Sequence, residues 1–221
     1  MVLPKAILFD LDGTLLDTAR DLGAALNAVL VEHKLQTMPY EAYRPVASHG
    51  ALGLLRLGFG DQLVEHDTEA LRQQLLDYYH NNIAEHTCLF EDMAEFLGLL
   101  DHKGIPWGIV TNKPESLTLE LIKHYPELSQ CRAMVAGDTL SVRKPDPAPL
   151  IYAADQIPVL AKDCWYVGDA KRDIDAANAA GMISITAMYG YLTDQDRLEN
   201  WQADYSVNNV GELNALLCSA E

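Results

Sequence analysis

Asp10 and Asp12 stand two residues apart in Phe9-Asp10-Leu11-Asp12-Gly13-Thr14, directly after the apolar run Ala6-Ile7-Leu8. Carboxylates at the end of a buried strand cost stability unless a cation or hydrogen-bond donors compensate them. Alternate side chains leave a regular strand on opposite faces, so the two groups act together only if the chain turns. Gly13 permits a sharp turn. Two readings are open at this point: oxygen ligands for a hard cation at a catalytic centre, or a strand closed by an ordinary Asp-Gly turn.

Three further chemical groups follow, each just past an apolar run. Thr111 and Asn112 follow Trp107 to Val110 and offer a hydroxyl and an amide to an anion. Lys144 follows Ala133 to Ala136 inside Arg143-Lys144-Pro145-Asp146-Pro147, a point charge in a proline-stiffened loop. Asp169 and Asp173 follow Cys164 to Val167 in Gly168-Asp169-Ala170-Lys171-Arg172-Asp173. Each has a bland reading as a cap or turn. Four strand ends that together carry Asp-x-Asp, Thr, Lys and Asp point to one shared site.

The elements that must position these groups alternate. Short unalternating apolar runs are expected as strands buried on both faces: Ala6 to Leu8, Trp107 to Thr111, Ala133 to Ala136, Cys164 to Val167 and Ile183 to Thr186. Helical patterns lie between them at Glu91 to Lys103, Pro114 to His124, Pro147 to Ala154 and Asp173 to Ala180, the last stopped by Gly181. Repeated βα units predict an α/β fold, a Rossmann-like parallel sheet with right-handed crossovers. Ligands of such sheets bind at the carboxyl ends of the strands.

One stretch breaks the alternation. From Asp17 to about Phe90 there is no convincing strand, and three amphipathic stripes stand out around Leu22 to Leu30, Leu52 to Phe59 and Leu71 to Tyr79. This predicts an inserted helical cap over residues 17–90, with the core formed by residues 1–16 and 91–221. An insertion at that point sits beside the strand ends and suits a lid.

Composition narrows the function classes. A formal net charge of −16 argues against a nucleic-acid partner, because phosphate backbones need a positive face. It leaves room for a small anionic substrate, since Lys113, Arg143, Lys144, Lys171 and Arg172 crowd the loops that carry the motifs and can focus an anion-attracting field. Four scattered cysteines without a Cys-x-x-Cys pair argue against a zinc ribbon and fit a reducing compartment. No apolar stretch approaches a membrane span, and Pro4, Lys5 and Asp10 interrupt any signal-peptide core. The expectation is a cytoplasmic protein, monomer or homodimer, with no membrane partner.

Phe9-Asp10-Leu-Asp12-Gly-Thr14-Leu-Leu-Asp17, Val110-Thr111-Asn112, Lys144-Pro-Asp-Pro147 and Gly168-Asp169 to Asp173 resemble the four motifs of the haloacid dehalogenase (HAD) superfamily, in that family's order. The insertion resembles the family's helical cap of the type placed between its first two motifs. Within the superfamily, Thr111-Asn-Lys-Pro114, Lys144 to Leu150 and Tyr189-Gly-Tyr191 are similar to phosphoglycolate phosphatases. The resemblance implies a Mg²⁺-dependent phosphatase of small phosphorylated metabolites. Asp10 would be the nucleophile that forms an aspartyl-phosphate, and Asp12 the proton donor and acceptor. Asp10, Asp169 and the main-chain carbonyl of Asp12 would ligate the metal, with Thr14 and Asp173 one layer out. Thr111, Asn112, Lys144 and the amide of Leu11 would hold the phosphoryl oxygens.

Substrate choice is expected in the cap, where the stretch Tyr43 to Ala51 resembles the loop that faces the site in this family. Arg44, Ser48, His49 and Gly50 are its candidates for a carboxylate or a sugar hydroxyl. An N-acetylmuramic acid 6-phosphate phosphatase is the nearest alternative, because His86 to Met93 and Trp201 to Asp204 also look like those enzymes. A mutase of the β-phosphoglucomutase type would share all four motifs. Asp12 argues against a dehalogenase proper, and Lys34, the only lysine of the insertion, makes a phosphonate-cleaving relative a poor match. A receiver-like signalling module is the non-enzyme alternative and would lack the large insertion.

Overall fold

A computed structural model describes residues 2–193 and 196–220. Its centre is a parallel sheet of six strands. They are β1 (Ala6–Phe9), β4 (Trp107–Val110), β5 (Ala133–Val135), β6 (Cys164–Gly168), β7 (Ile183–Ala187) and β8 (Tyr205–Val207), in the spatial order β5-β4-β1-β6-β7-β8. All four residues of β1 are fully buried, as a run without alternation requires when both faces are covered. The period of two sorts them. Ile7 and Phe9 enter one core cluster with Trp107, Ile109, Trp165 and Val167, whereas Ala6 and Leu8 enter the opposite one with Val110 and Tyr166.

β1 is paired on both sides, with Phe9 opposite Ile109 of β4 and opposite Val167 of β6. That register brings Asp10, Thr111 and Asp169 to one edge of the sheet. It is also where the strand order reverses, the place where open α/β sheets bind ligands. The helices α5 (Met93–Lys103), α6 (Glu115–Ile122), α7 (Ala148–Gln156) and α8 (Lys171–Ala180) fall where the periodicity puts them, within a few residues at each end. Pro114 precedes α6 as its N-cap residue, and Gly181 ends α8 in the left-handed conformation at φ 71°.

The insertion is helical: α1 (Ala19–Glu32), α2 (Tyr40–Tyr43), α3 (Gly50–Phe59) and α4 (Thr68–Asn81). Leu22, Leu26, Val29 and Leu30 of α1 pack toward α3 and α4. The expectation of no strand in this stretch needs amending. β2 (Leu16–Asp17) pairs antiparallel with β3 (Cys88–Leu89), so a two-residue ladder joins the chain where it leaves the sheet to the chain where it returns. Two residues with one polar-side cysteine carry too little pattern to be read from sequence.

Asp21 of α1 secures the same neck. Its buried carboxylate accepts from the amides of His86 (3.0 Å) and Thr87 (2.9 Å) and from Thr87 Oγ1 (2.7 Å). Charge-assisted bonds of this kind contribute about 1.5–3 kcal/mol each, and truncating the acceptor leaves buried donors unmatched. Asp21→Ala is therefore expected to lower the unfolding free energy by roughly 2 kcal/mol or more in urea denaturation. A loss below about 0.5 kcal/mol would mean that water replaces the carboxylate and the neck does not depend on it.

Candidate active site

The site begins with Asp10, buried at the end of β1. Its Oδ1 accepts from the amide of Leu11 at 2.8 Å and lies 3.0 Å from Lys144 Nζ. Its Oδ2 faces Arg172, whose Nη2 is 4.0 Å away. Burial pushes the Asp10 carboxyl up from the ordinary carboxylate range; Lys144 opposes that and Asp173 adds to it.

Lys144 is fully buried and surrounded by acceptors: Asp10, Asp173 Oδ1 at 2.7 Å, the Val110 carbonyl at 2.7 Å and Tyr166 Oη at 2.7 Å. An ammonium has three N–H bonds, so these four neighbours saturate it. Tyr166 reaches the loop because the period of β6 turns it onto the face opposite Trp165 and Val167, and its hydroxyl also donates to Val110 O at 2.8 Å. Asn112 Nδ2 donates to the Lys144 carbonyl at 2.9 Å and fixes the loop that carries the lysine.

Asp169 is the least compensated carboxylate. Oδ2 accepts from the Tyr191 amide at 2.8 Å and from Ser48 Oγ at 2.7 Å, while Oδ1 is buried without a partner. Burial, with Asp173 and Asp10 adding, raises its pKa to about 7. Close backbone approach makes this packing possible: Gly13 has φ +84°, and a Cβ there would come within 2.2 Å of Asp169 Oδ2. One carboxylate oxygen from each of Asp10, Asp169 and Asp173 lies within 4.8 Å of the others. Asp173 is committed, with Oδ1 on Lys144 and Oδ2 accepting from the Ala170 amide at 3.0 Å. The orphaned Asp169 oxygen beside Asp10, in an all-oxygen setting, fits a hard divalent cation.

Asp12 is held by another set. Its Oδ1 accepts from Thr18 Oγ1 at 2.6 Å and from Lys113 Nζ at 3.1 Å. Lys113 also donates to Tyr79 Oη of α4 at 2.9 Å, so one buried ammonium bridges the first strand's loop and the insertion. Burial alone would depress the Lys113 ammonium, but Asp12 and then Tyr79 outweigh it and the net shift is upward. Tyr79 is pushed up to about 12 by burial, with Lys113 opposing.

The remaining expected residues are placed as follows. Thr111 is buried, and its Oγ1 accepts from the Lys113 amide at 3.2 Å, which leaves its proton to donate. Thr14 is buried with Oγ1 unpartnered, and its carbonyl accepts from Tyr189 Oη at 3.2 Å. Arg44 forks onto the core: Nη1 donates to the Gly190 carbonyl and Nη2 to the Tyr189 carbonyl, both at 3.0 Å. Both arms of the fork are thus engaged on main-chain oxygens. Ser48 reaches Asp169, whereas His49 and Gly50 remain exposed. Although the residue as a whole is exposed, partial desolvation of its ring and then the Arg172 charge lower the His49 pKa from its ordinary value.

Four contributors escape the motif reading. Tyr79 reads as one more member of an apolar stripe and Tyr166 as strand core, while Lys113 and Arg172 read only as loop charges. The available signal is a tyrosine in an otherwise aliphatic pattern, since a buried hydroxyl must find a partner.

The Asp169 shift carries a pH dependence for the metal-free protein. Its carboxyl titrates near 3.8 when unfolded and near 7 when folded, so the folded state holds the extra proton between those values. That contribution is complete below about pH 4 and is lost as pH rises through 7, by at most about 4 kcal/mol. In chelator, Tm is expected to fall between about pH 5 and 8, less so in Asp169→Asn, with Mg²⁺ restoring stability mainly at the higher pH. Parallel wild-type and Asp169→Asn profiles would contradict it.

The family model described as haloacid dehalogenase-like hydrolase matches residues 7–187. A phosphoglycolate phosphatase of Xanthomonas campestris pv. campestris is 43% identical over 213 residues, covering 96% of this chain and 96% of that protein. An N-acetylmuramic acid 6-phosphate phosphatase of Pseudomonas aeruginosa is 34% identical over 209 residues, covering 95% and 92%. The crystal structure of a predicted phosphoglycolate phosphatase from Haemophilus somnus superimposes with a TM-score of 0.86 at 25% identity, over 98% of this chain and 99% of that one. With the matched model spanning all four strand-end motifs, the chain belongs to the haloacid dehalogenase-like hydrolase family.

Proposed function

We propose that this protein is a Mg²⁺-dependent phosphomonoesterase that works through an aspartyl-phosphate on Asp10 and takes a small phosphorylated acid, phosphoglycolate first among the candidates. The phosphatase class follows from the family and its relatives, and sets aside the signalling-module alternative. The observation that carries the mechanism is Asp10 itself. It is a buried carboxylate with one oxygen fixed by Leu11 and Lys144 and the other without a hydrogen bond, beside an unsatisfied oxygen of Asp169.

The fixed donors orient Asp10 so that its free Oδ2 can attack phosphorus in line with the leaving oxygen. As the Asp10–phosphorus bond forms and the ester bond breaks, the leaving alkoxide takes a proton from Asp12. Thr18 and Lys113 position that carboxyl and stabilise the carboxylate it becomes. Asp12 then accepts a proton from the water that attacks phosphorus, and phosphate leaves Asp10. Thr111 has a hydroxyl proton to give to a phosphoryl oxygen. Mg²⁺ held by Asp10, Asp169 and the main-chain carbonyl of Asp12, with Asp173 and Thr14 behind them, would supply Lewis-acid charge to that oxygen.

Residues 17–90 act in this reading as a cap domain over a core of residues 1–16 and 91–221, with Arg44, Ser48 and Tyr79 as its contacts on the site. N-acetylmuramic acid 6-phosphate is the second substrate reading, favoured by the relative that shares 34% of its residues with this chain. Three measurements decide. Asp10→Asn is expected to abolish turnover and keep the fold, and activity within about tenfold of wild type would refute the nucleophile. Chelator is expected to silence the enzyme and Mg²⁺ to restore it. A kcat/KM preference of about a hundredfold for either substrate, roughly 2.7 kcal/mol of differential transition-state binding, names the substrate.

A further inference from the structure

Most of the cations drawn into the site are already engaged. Lys144 is saturated by four acceptors. Lys113 is shared between Asp12 and Tyr79, and both arms of the Arg44 fork lie on carbonyls of residues 189 and 190. Lys171, next in sequence, is exposed and pairs with Asp175. Arg172 differs from all of them. Its side chain is 23% exposed, it makes no hydrogen bond among the described residues, and its one ion pair is the 4.0 Å approach to Asp10 Oδ2.

The Arg172 donors carry no protein acceptor among the described residues and reach solvent beside Asp10, so they are available to a ligand that enters there. Its planar fork of five donors matches the oxygens of a phosphate better than an ammonium does. The oxygen it faces is the one Asp10 leaves free for attack. In a near-attack arrangement, phosphorus sits about 3–3.5 Å from that oxygen. The equatorial oxygens then lie within reach of a donor 4.0 Å from the same atom. Charge points the same way. Asp10, Asp12, Asp169 and Asp173 face an incoming dianion, and the two lysines are bound to three of those carboxylates.

We infer that Arg172 is a substrate-binding residue whose guanidinium takes a non-bridging oxygen of the phosphoryl group during its transfer to Asp10. This rests on Asp10 being the nucleophile. It adds a third contact to those of Thr111 and Mg²⁺, from the first turn of α8, and makes Lys144 chiefly the residue that fixes Asp10.

The test is calorimetric titration of inorganic phosphate into the Mg²⁺-loaded protein, alongside kcat/KM for phosphoglycolate and p-nitrophenyl phosphate. Arg172→Ala is expected to weaken phosphate binding by about tenfold or more and to lower kcat/KM for both esters by about a hundredfold. Arg172→Lys, which keeps the charge and loses the fork, is expected to recover part of both. Unchanged phosphate affinity in either variant overturns the inference. A loss confined to phosphoglycolate, with phosphate binding intact, also overturns it, because the guanidinium would then read the carboxylate of the leaving group. Should Arg172→Ala fail to fold, Arg172→Lys decides by the same phosphate criterion. Turnover by Asp10→Asn would refute the nucleophile reading separately, since phosphate affinity is measured without turnover.

Discussion

The Lys144 ammonium is the interaction on which the site depends. Three carboxylates crowd the carboxyl end of β1 and β6, and none of Asp10, Asp169 and Asp173 is more than slightly exposed. Carboxylates this close cannot all stay ionised without an internal cation. Lys144 supplies it, with Asp10 at 3.0 Å, Asp173 at 2.7 Å and two further oxygen acceptors around one nitrogen. Buried pairs of this sort add little net stability, because desolvation consumes the attraction, but removing one partner strands the other. Their value here is orientation. The proposed nucleophile is held by these contacts before any substrate arrives, the condition under which electrostatic stabilisation needs no reorganisation.

The insertion reaches that centre through three different chemistries. Arg44 binds main-chain carbonyls of the loop after β7, Ser48 binds the carboxylate of Asp169, and Tyr79 binds the ammonium that also holds Asp12. The helical layer is thereby linked to the groups proposed to bind metal and to move the proton. Displacing it would release a donor from Asp169 and a partner from Lys113 at once. In the proposed function, a cap joined to the core in this way would couple access for substrate to the state of the catalytic groups, with the β2–β3 ladder and Asp21 as the neck about which such a change would turn.

Much of this is legible in the chain. Strands buried on both faces read as unbroken apolar runs, so β1, β4, β5, β6 and β7 stand out together with the groups that follow them. The tail does not. β8 is a three-residue edge strand in which only Val207 is buried, and α9 (Val210–Ser219) follows with a short stripe of Val210, Leu213 and Leu217. Side-chain commitments were the other hidden part. Position in a motif marks Lys144 as cationic, yet four acceptors from four separate segments decide that it serves Asp10 and Asp173. Arg44 lies where a substrate anchor is expected, and only folding reveals that carbonyls 146 and 145 residues away take its fork. Partners that distant leave no local trace in sequence.

The most direct test of a covalent route is to trap the phosphoenzyme. Protein mixed with excess substrate and Mg²⁺ is quenched in acid within the first turnover, reduced with borohydride and mapped by peptide mass spectrometry. Homoserine in place of Asp10, the product of hydride displacing phosphate from an acyl-phosphate there, is the expected result, absent in Asp10→Asn and in chelator. Steady turnover with Asp10 unmodified at every quench time, or the phosphoryl group on another residue, would contradict the assignment of Asp10 as nucleophile.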